Sequence, residues 1–127
     1  MARISFYKSV RTNKEAKGVE LFTALESIKN GEFKSLIAKI RLITNKEEKT
    51  EAKQTRLPAY TFAGRFKEVR SKNHLTKSSG LAVLDFDDVD NLEELIEKVN
   101  SDKYTFSSFV SPSGNGVKVL VKIPPVR

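Results

Sequence analysis

Leu81-Ala82-Val83-Leu84-Asp85-Phe86-Asp87 is the stretch whose reading decides the fold. Four apolar residues leading into an acid–apolar–acid triplet predict a strand, and in a strand alternate side chains share a face. Ala82, Leu84 and Phe86 are expected to face the helices, with Leu81, Val83, Asp85 and Asp87 on the opposite side. Two carboxylates so spaced lie about 6–7 Å apart at their Cα atoms. Like charges on one sheet face repel. A Mg²⁺ or Mn²⁺ ion reverses that, because hard divalent ions take carboxylate oxygens. Two such ions about 3.5–4 Å apart clamp the oxygens of a phosphoryl or nucleotidyl transfer. Capping of the next helix accounts for Asp90 and for Asp88, poorly for Asp87 and hardly at all for Asp85. The pair therefore reads as a metal-ligand candidate.

Downstream, Asp90 with Glu93 three residues on has capping-box spacing, and Leu92, Leu95, Ile96 and Val99 form the apolar stripe of a short helix. Tyr104–Val110 is a β-rich run, Ser111-Pro112-Ser113-Gly114-Asn115-Gly116 a tight turn, and Val117–Ile123 a last strand stopped by Pro124-Pro125. Val117, Val119, Val121 and Ile123 are expected in the core, and Lys118, Leu120 and Lys122 on the open face with Asp85 and Asp87. Acids for a metal beside a cation for phosphate suit a nucleoside triphosphate, although Lys122, near the strand end, reads as a solvated lysine. The turn can bring N–H groups and hydroxyls to a phosphate, a weak signal alone because many hairpins have Gly-rich turns. Strand–helix–strand–turn–strand is the first two-thirds of a ferredoxin-like, RRM-like βαββαβ unit.

Upstream, residues 2–10 alternate and predict a strand with Ile4, Phe6 and Lys8 on one side. A helix is expected over Val19–Ile28, stopped at Asn30-Gly31, then a second with Phe33, Leu36, Ile37, Ile40 and Ile43 on one stripe. Asn45–Thr55 is charged without an apolar period and reads as a solvated helix extension or loop. Leu57-Pro58 breaks the pattern, and AYTFAGRF runs into a basic loop with Lys67, Arg70, Lys72 and Lys77. The fold class is α+β, a single domain with residues 1–56 as a helical and strand preamble and 57–127 as the sheet half.

With 127 residues, 39% hydrophobic and 31% charged, the composition is that of an ordinary globular domain. The net charge of +7 favours polyanions: nucleic acid, nucleotide phosphates or an anionic membrane surface. The absence of cysteine excludes disulfides and Cys-based zinc sites and suits a cytoplasmic location. The lone histidine, His74, lies in a polar loop with nothing apolar to orient it. No apolar run is long enough to span a bilayer, and MARISFYKSV lacks the apolar segment of a signal peptide.

Together these residues resemble the archaeo-eukaryotic primase superfamily, and more narrowly its primase–polymerase branch from mobile elements and phages, the BT4734-like (VirE-associated) N-terminal domain. That superfamily has an hhhDhD strand, here Val83-Leu84-Asp85-Phe86-Asp87, and an sxH-type nucleotide-binding strand after a Ser-Pro-Ser-Gly-like turn, here SPSGNGVKVLV at 111–121. LPAYTFAGRF (57–66) and SSGLAVLDFD (78–87) resemble the narrower family. The resemblance implies nucleotidyl transfer in DNA replication, with Asp85 and Asp87 holding catalytic Mg²⁺ or Mn²⁺. It implies that Ser111, Ser113, Gly114, Gly116 and Lys118 seat the triphosphate. Arg65 and Arg70 are candidates for contacting template or nucleotide, although ordinary solvated arginines explain them as well. Implied partners are a DNA template, nucleoside triphosphates and a helicase, with no membrane. Lys118 stands where the motif usually has histidine, and the third acidic motif would fall beyond Arg127. The chain is therefore expected to be a fragment of the catalytic domain, or to take the missing strand from elsewhere, and not to polymerise alone.

Three other readings compete. A haloacid-dehalogenase-like phosphotransferase also ends a strand in Asp-x-Asp, but continues Gly-Thr where this chain has Asp88-Val89. A Toprim site needs an earlier glutamate, for which Glu68 is a poor candidate. A non-enzymatic nucleic-acid-binding sheet of the RNA-recognition type would show aromatics where Asp85 and Asp87 stand, whereas its other form, an inactive primase relic that still binds DNA, is the runner-up because the third acidic motif is absent.

Overall fold

The alternating RISFY segment forms β1 (Arg3–Tyr7), the middle strand of an antiparallel sheet between β2 (Lys17–Glu20) and β3 (Ala59–Thr61). The computed structural model describes residues 2–66, 69–71 and 75–123. Lys67, Glu68, Lys72, His74 and Pro124-Pro125, singled out above, lie outside them. Among the described residues the chain has four helices and three small antiparallel sheets, a mixed α+β architecture. It divides into two compact units, Met1–Ser79 and Gly80–Arg127. Since β3 pairs with β1, residues 59–61 share a unit with the N-terminal strand.

In the first unit, Ile4, Ser5 and Tyr7 are all fully buried, so β1 is covered on both faces rather than one. Val19, expected in a helix, pairs with Ile4 in β2, and the helix α1 begins only at Leu21 (Leu21–Lys29). Strand pairing overrides the local helical period there. The second helix, α2 (Lys34–Arg41), buries Ile40, while Phe33 and Ile43 flank it. The charged segment is a separate helix, α3 (Lys46–Arg56), and not an extension. The Asn45 side chain accepts from Glu48 N–H at 3.0 Å. Glu47 and Glu48 sit in the first turn and Lys53 and Arg56 in the last, matching the helix dipole. Capping and charge order thus hold a helix whose one buried side chain is Ala52.

AYTFAGRF supplies β3 and β4 (Gly64–Phe66), and β4 pairs with β5 (Leu75–Ser78), so Lys77, expected in the basic loop, lies in a strand opposite Arg65. Tyr60 stacks on Phe6 at 5.2 Å, on Phe62 at 5.6 Å and edge-on to Phe33 at 6.3 Å between ring centroids. Each such pair contributes about 0.5–1.5 kcal/mol beyond its burial. Those rings draw the segment onto the sheet.

Ser5, buried in β1, donates its hydroxyl hydrogen to Glu15 Oε2 and accepts from Phe66 N–H at 2.9 Å. Arg65 Nη2 donates to Glu15 Oε1 at 2.9 Å. Burial pushes the Glu15 carboxyl up, but the hydrogen bonds from Arg65 and Ser5 and the charges of Arg65 and Arg3 outweigh it, so its pKa lies below the ordinary 4.5. A depressed folded-state pKa stabilises above the unfolded value and is lost as pH falls through the folded one. Wild type should therefore lose thermal stability more steeply than Glu15→Gln below about pH 4.5, where the unfolded carboxyl begins to protonate first. Thermal unfolding of both proteins between neutral and acid pH checks this; parallel curves would contradict it.

The second unit runs β6 (Leu81–Phe86), α4 (Leu92–Ser101), β7 (Thr105–Val110) and β8 (Val117–Lys122). The sheet order is β6-β8-β7, so the last strand lies between the first two, antiparallel to both. Val117, Val119 and Leu120 of this central strand are buried, whereas Ile123 lies beyond it and is exposed. Asn91, not Asp90, caps α4, accepting from Glu94 N–H at 3.1 Å. The register of the capping box is thus one residue later than the spacing suggested. Leu84, Phe86, Val119 and Val121 line a groove with Val99 and Tyr104, placing Leu84 and Phe86 on the helix side. The opposite face is not open throughout: Leu81 and Leu120 are buried, while Val83, Asp85 and Lys122 are exposed.

Candidate metal and nucleotide site

Pairing of β6 with β8 sets Asp85 opposite Lys118 and Phe86 opposite Val117. Directly opposed residues of an antiparallel pair project to the same side. Lys118 Nζ donates to Asp85 Oδ1 at 2.7 Å, with the two side chains one-third and one-half exposed. Continuing the register one step past β6 brings Asp87 to Gly116. An ideal Cβ on Gly116 would stand 2.5 Å from the Phe86 carbonyl oxygen, 3.0 Å from Ser111 Oγ and 3.4 Å from Asp87 Oδ1. A side chain at position 116 would collide with the Phe86 carbonyl, so only a glycine allows these three oxygens to come so close.

Asp85 and Asp87 are both exposed, Asp85 within β6 and Asp87 directly after its last residue. Their electrostatic situations differ. Asp85 is already paired with an ammonium, whereas among the described residues Asp87 has no cationic partner. Beyond Asp87 the backbone turns sharply at Asp88, whose φ of 51° is in the left-handed region that aspartate tolerates better than most residues. That turn is pinned to the loop opposite. Asn115 Nδ2 donates to Asp88 Oδ1 at 3.2 Å, and Val89 N–H donates to the Asn115 carbonyl at 2.9 Å.

The Ser-Pro-Ser-Gly-Asn-Gly turn is itself ordered by hydrogen bonds. Ser111 N–H donates to the Gly116 carbonyl and Gly114 N–H to the Ser111 carbonyl, both at 2.9 Å. Gly114 has φ 89°. Ser111 Oγ and Ser113 Oγ lie 3.0 Å apart, and Ser113 donates on to Asn115 Oδ1 at 2.7 Å. Asp85, Asp87, Ser111, Ser113, Gly114, Gly116 and Lys118 thus gather at one end of one sheet. The acids and the turn meet because β8 returns between β6 and β7.

Arg65 and Arg70 belong to the other unit. Arg65 is held by Glu15, whose hydrogen bond and charge raise its pKa further. Arg70 donates its guanidinium to the carbonyls of Val10 and Thr12 and lies over the Tyr7 ring, 4.6 Å from its centroid. Sequence reasoning passed over two residues of the second unit. Asn115 ties the turn to Asp88, and Phe109 is the β7 partner of Lys118, in one cross-strand row with Asp85. An Asn between glycines was a visible turn signal. Phe109 was not visible, because a register irregularity between Thr105 and Ser107 sets its pairing.

The atoms that come closest over Gly116 are the oxygens of Phe86, Ser111 and Asp87, and oxygen is the donor type that a hard cation such as Mg²⁺ or Mn²⁺ takes. Asp87 and Asp85 are the carboxylates that would hold it. Two carboxylates with substrate phosphates and water are a usual Mg²⁺ set. The family described as BT4734-like, N-terminal domain, matches residues 51–125, more than half of the chain. The chain belongs to that family. The match takes in β6, the Ser-Gly turn and β8, so the gathered residues of this BT4734-like domain lie inside it. No curated protein and no solved structure matches the chain.

Proposed function

We propose that this BT4734-like domain binds a nucleoside triphosphate with Mg²⁺ or Mn²⁺, as part of a primase–polymerase that transfers nucleotides in DNA replication. The observation that carries the reading is the approach of Asp87 Oδ1, Ser111 Oγ and the Phe86 carbonyl oxygen around Gly116, two residue pairs along from the Asp85–Lys118 contact. The β6-β8-β7 order supports it as well, since a ferredoxin-like or RRM-like unit places its third strand between the first two. A bound divalent ion would neutralise phosphate charge and orient the phosphates. Asp87 would hold it at the strand end and Asp85 would complete the carboxylate pair. Lys118 would turn its ammonium to a phosphate oxygen, a charge-assisted contact. Phe109, beside Lys118 in the next strand, offers a ring against which a base can lie. The cysteine-free composition agrees with a cytoplasmic setting. No helix among the described residues is long and apolar enough to cross a membrane.

A second reading is nucleotide or nucleic-acid binding without transfer. It is favoured by the carboxylate count: among the described residues no three His, Cys, Asp or Glu side chains gather as a metal site. Titration calorimetry with dATP tests what the two readings share in the metal-assisted site. Binding is expected with Mn²⁺ and its loss with EDTA. Equal heats in both conditions, or none in either, would overturn the site.

A further inference from the structure

The net basic charge of the chain comes from one of its units. Residues 1–79 carry 18 Lys and Arg against 8 acids, whereas residues 80–127 carry 5 against 8. Within the first unit, the connection from β1 to β2 and the first residue of β2 present Lys8, Arg11, Lys14 and Lys17, all exposed. The one acid of the segment, Glu15, is turned onto Ser5 and Arg65. Arg11 lies along α3, donating to Gln54 Oε1 at 2.9 Å beside Glu47 and Glu51. Lys8, Lys14 and Lys17 remain as outward cations, and among the described residues none of them has an acidic partner.

The segment is also fixed. Val10 N–H donates to the Leu57 carbonyl at 3.1 Å, Arg11 N–H to the Gln54 carbonyl at 3.0 Å and Ala16 N–H to the Phe6 carbonyl at 2.8 Å. Arg70 N–H donates to Asn13, and the Arg70 guanidinium donates to Val10 and Thr12. The two arginines that looked available for nucleic acid thus serve as internal fasteners, one turning the acid inward and one holding the loop. A rigid basic loop binds with little ordering cost. Lys17 Nζ lies 5.4 Å from the Phe6 ring centroid, which adds an aromatic surface beside the charge.

We infer that residues 8–17 form a nucleic-acid contact in which Lys8, Lys14 and Lys17 bind backbone phosphates of single-stranded DNA. An anionic membrane fits less well, because such surfaces set a broad apolar face beside the lysines. Here Val10, 37% exposed, is the one large apolar side chain of the segment that reaches solvent. The contact deepens the primase–polymerase reading by naming where the strand is held, yet it uses none of the metal-site residues.

Fluorescence anisotropy with a labelled oligonucleotide of about 20 nucleotides tests it, the span of one or two single-strand sites. The triple variant Lys8→Ala, Lys14→Ala, Lys17→Ala is compared with a charge-matched Lys29→Ala, Lys34→Ala, Lys39→Ala control on α1 and α2. The loop variant should bind about 10- to 100-fold more weakly at moderate salt, with the slope of log K against log salt reduced by about 2. The control should keep the wild-type slope, and both variants should keep the wild-type unfolding temperature. Equal losses in the two variants, or wild-type binding to anionic vesicles and not to DNA, would overturn the proposal. The Mn²⁺-dependent dATP heat should stay unchanged in the loop variant, so failure here and failure of the nucleotide site are read separately.

Discussion

Replacing Lys118 with methionine is expected to tighten Mn²⁺ binding in the absence of nucleotide while weakening dATP binding, two effects of opposite sign from one substitution. In the structure the Lys118 ammonium sits on Asp85 Oδ1 at 2.7 Å, the position a metal would compete for. A partly exposed pair of this kind contributes up to about 1 kcal/mol. Its removal should therefore improve Mn²⁺ affinity about five-fold. With triphosphate present, the lysine has a second anion to turn to, and Asp85 is released to the metal. Losing a charge-assisted bond to phosphate costs about 1.5–3 kcal/mol, or roughly 10- to 150-fold in dATP affinity. Methionine keeps the aliphatic length of the side chain in the sheet, so the fold should stand. Calorimetry with Mn²⁺ alone and with dATP at saturating Mn²⁺ separates the two effects. Unchanged Mn²⁺ affinity would mean that Lys118 does not occupy the metal's place.

The larger effect is expected from Asp85→Ala with Asp87→Ala. Both carboxylates are exposed, and neither supports the core formed by Val117, Val119 and Leu120. The double variant should therefore fold with close to wild-type stability, surface substitutions commonly falling within about 0.5 kcal/mol. Mn²⁺ binding should fall on the order of 100-fold or more, because loss of even an outer-shell group costs about 10–100-fold. Asp87→Ala alone should account for most of the loss, since Asp87 lies beside Ser111 Oγ over Gly116 and, among the described residues, carries no competing cation. Asp85→Ala alone should do less, because its oxygen is already shared with Lys118. Equal Mn²⁺ heats in wild type and double variant would remove the metal from this strand.

How far the sequence discloses this arrangement depends on the range of the interaction concerned. Alternation in Leu81–Asp87 and Val117–Lys122 was legible, because period-two patterning is a property of each strand by itself. That placed Asp85 and Lys118 as candidates for one face, and the observed pairing puts them opposite one another. The α4 cap was misread by a single residue because Asp90 and Asn91 are both good capping residues with a glutamate three positions on. Val19 misled for a different reason: its helical spacing to Leu21, Phe22 and Leu25 is real, but pairing with Ile4 across 15 residues wins. Arg65 and Arg70 read as basic surface because their partners, Glu15 and the Val10 and Thr12 carbonyls, are more than 45 residues away in the chain. The closeness of Asp87, Ser111 and Gly116 is likewise tertiary, since it requires the strand order β6-β8-β7.

Paramagnetic broadening by Mn²⁺ in the amide spectrum of the isotope-labelled protein places the ion without relying on any substitution. With sub-stoichiometric Mn²⁺, signals of residues 85–88 and 111–116 should vanish first, with Lys118 close behind, while the charged helix around Glu47, Glu48 and Glu51 stays sharp. Broadening centred on that helix, or spread evenly over the acidic surface, would contradict a cation site at the end of β6.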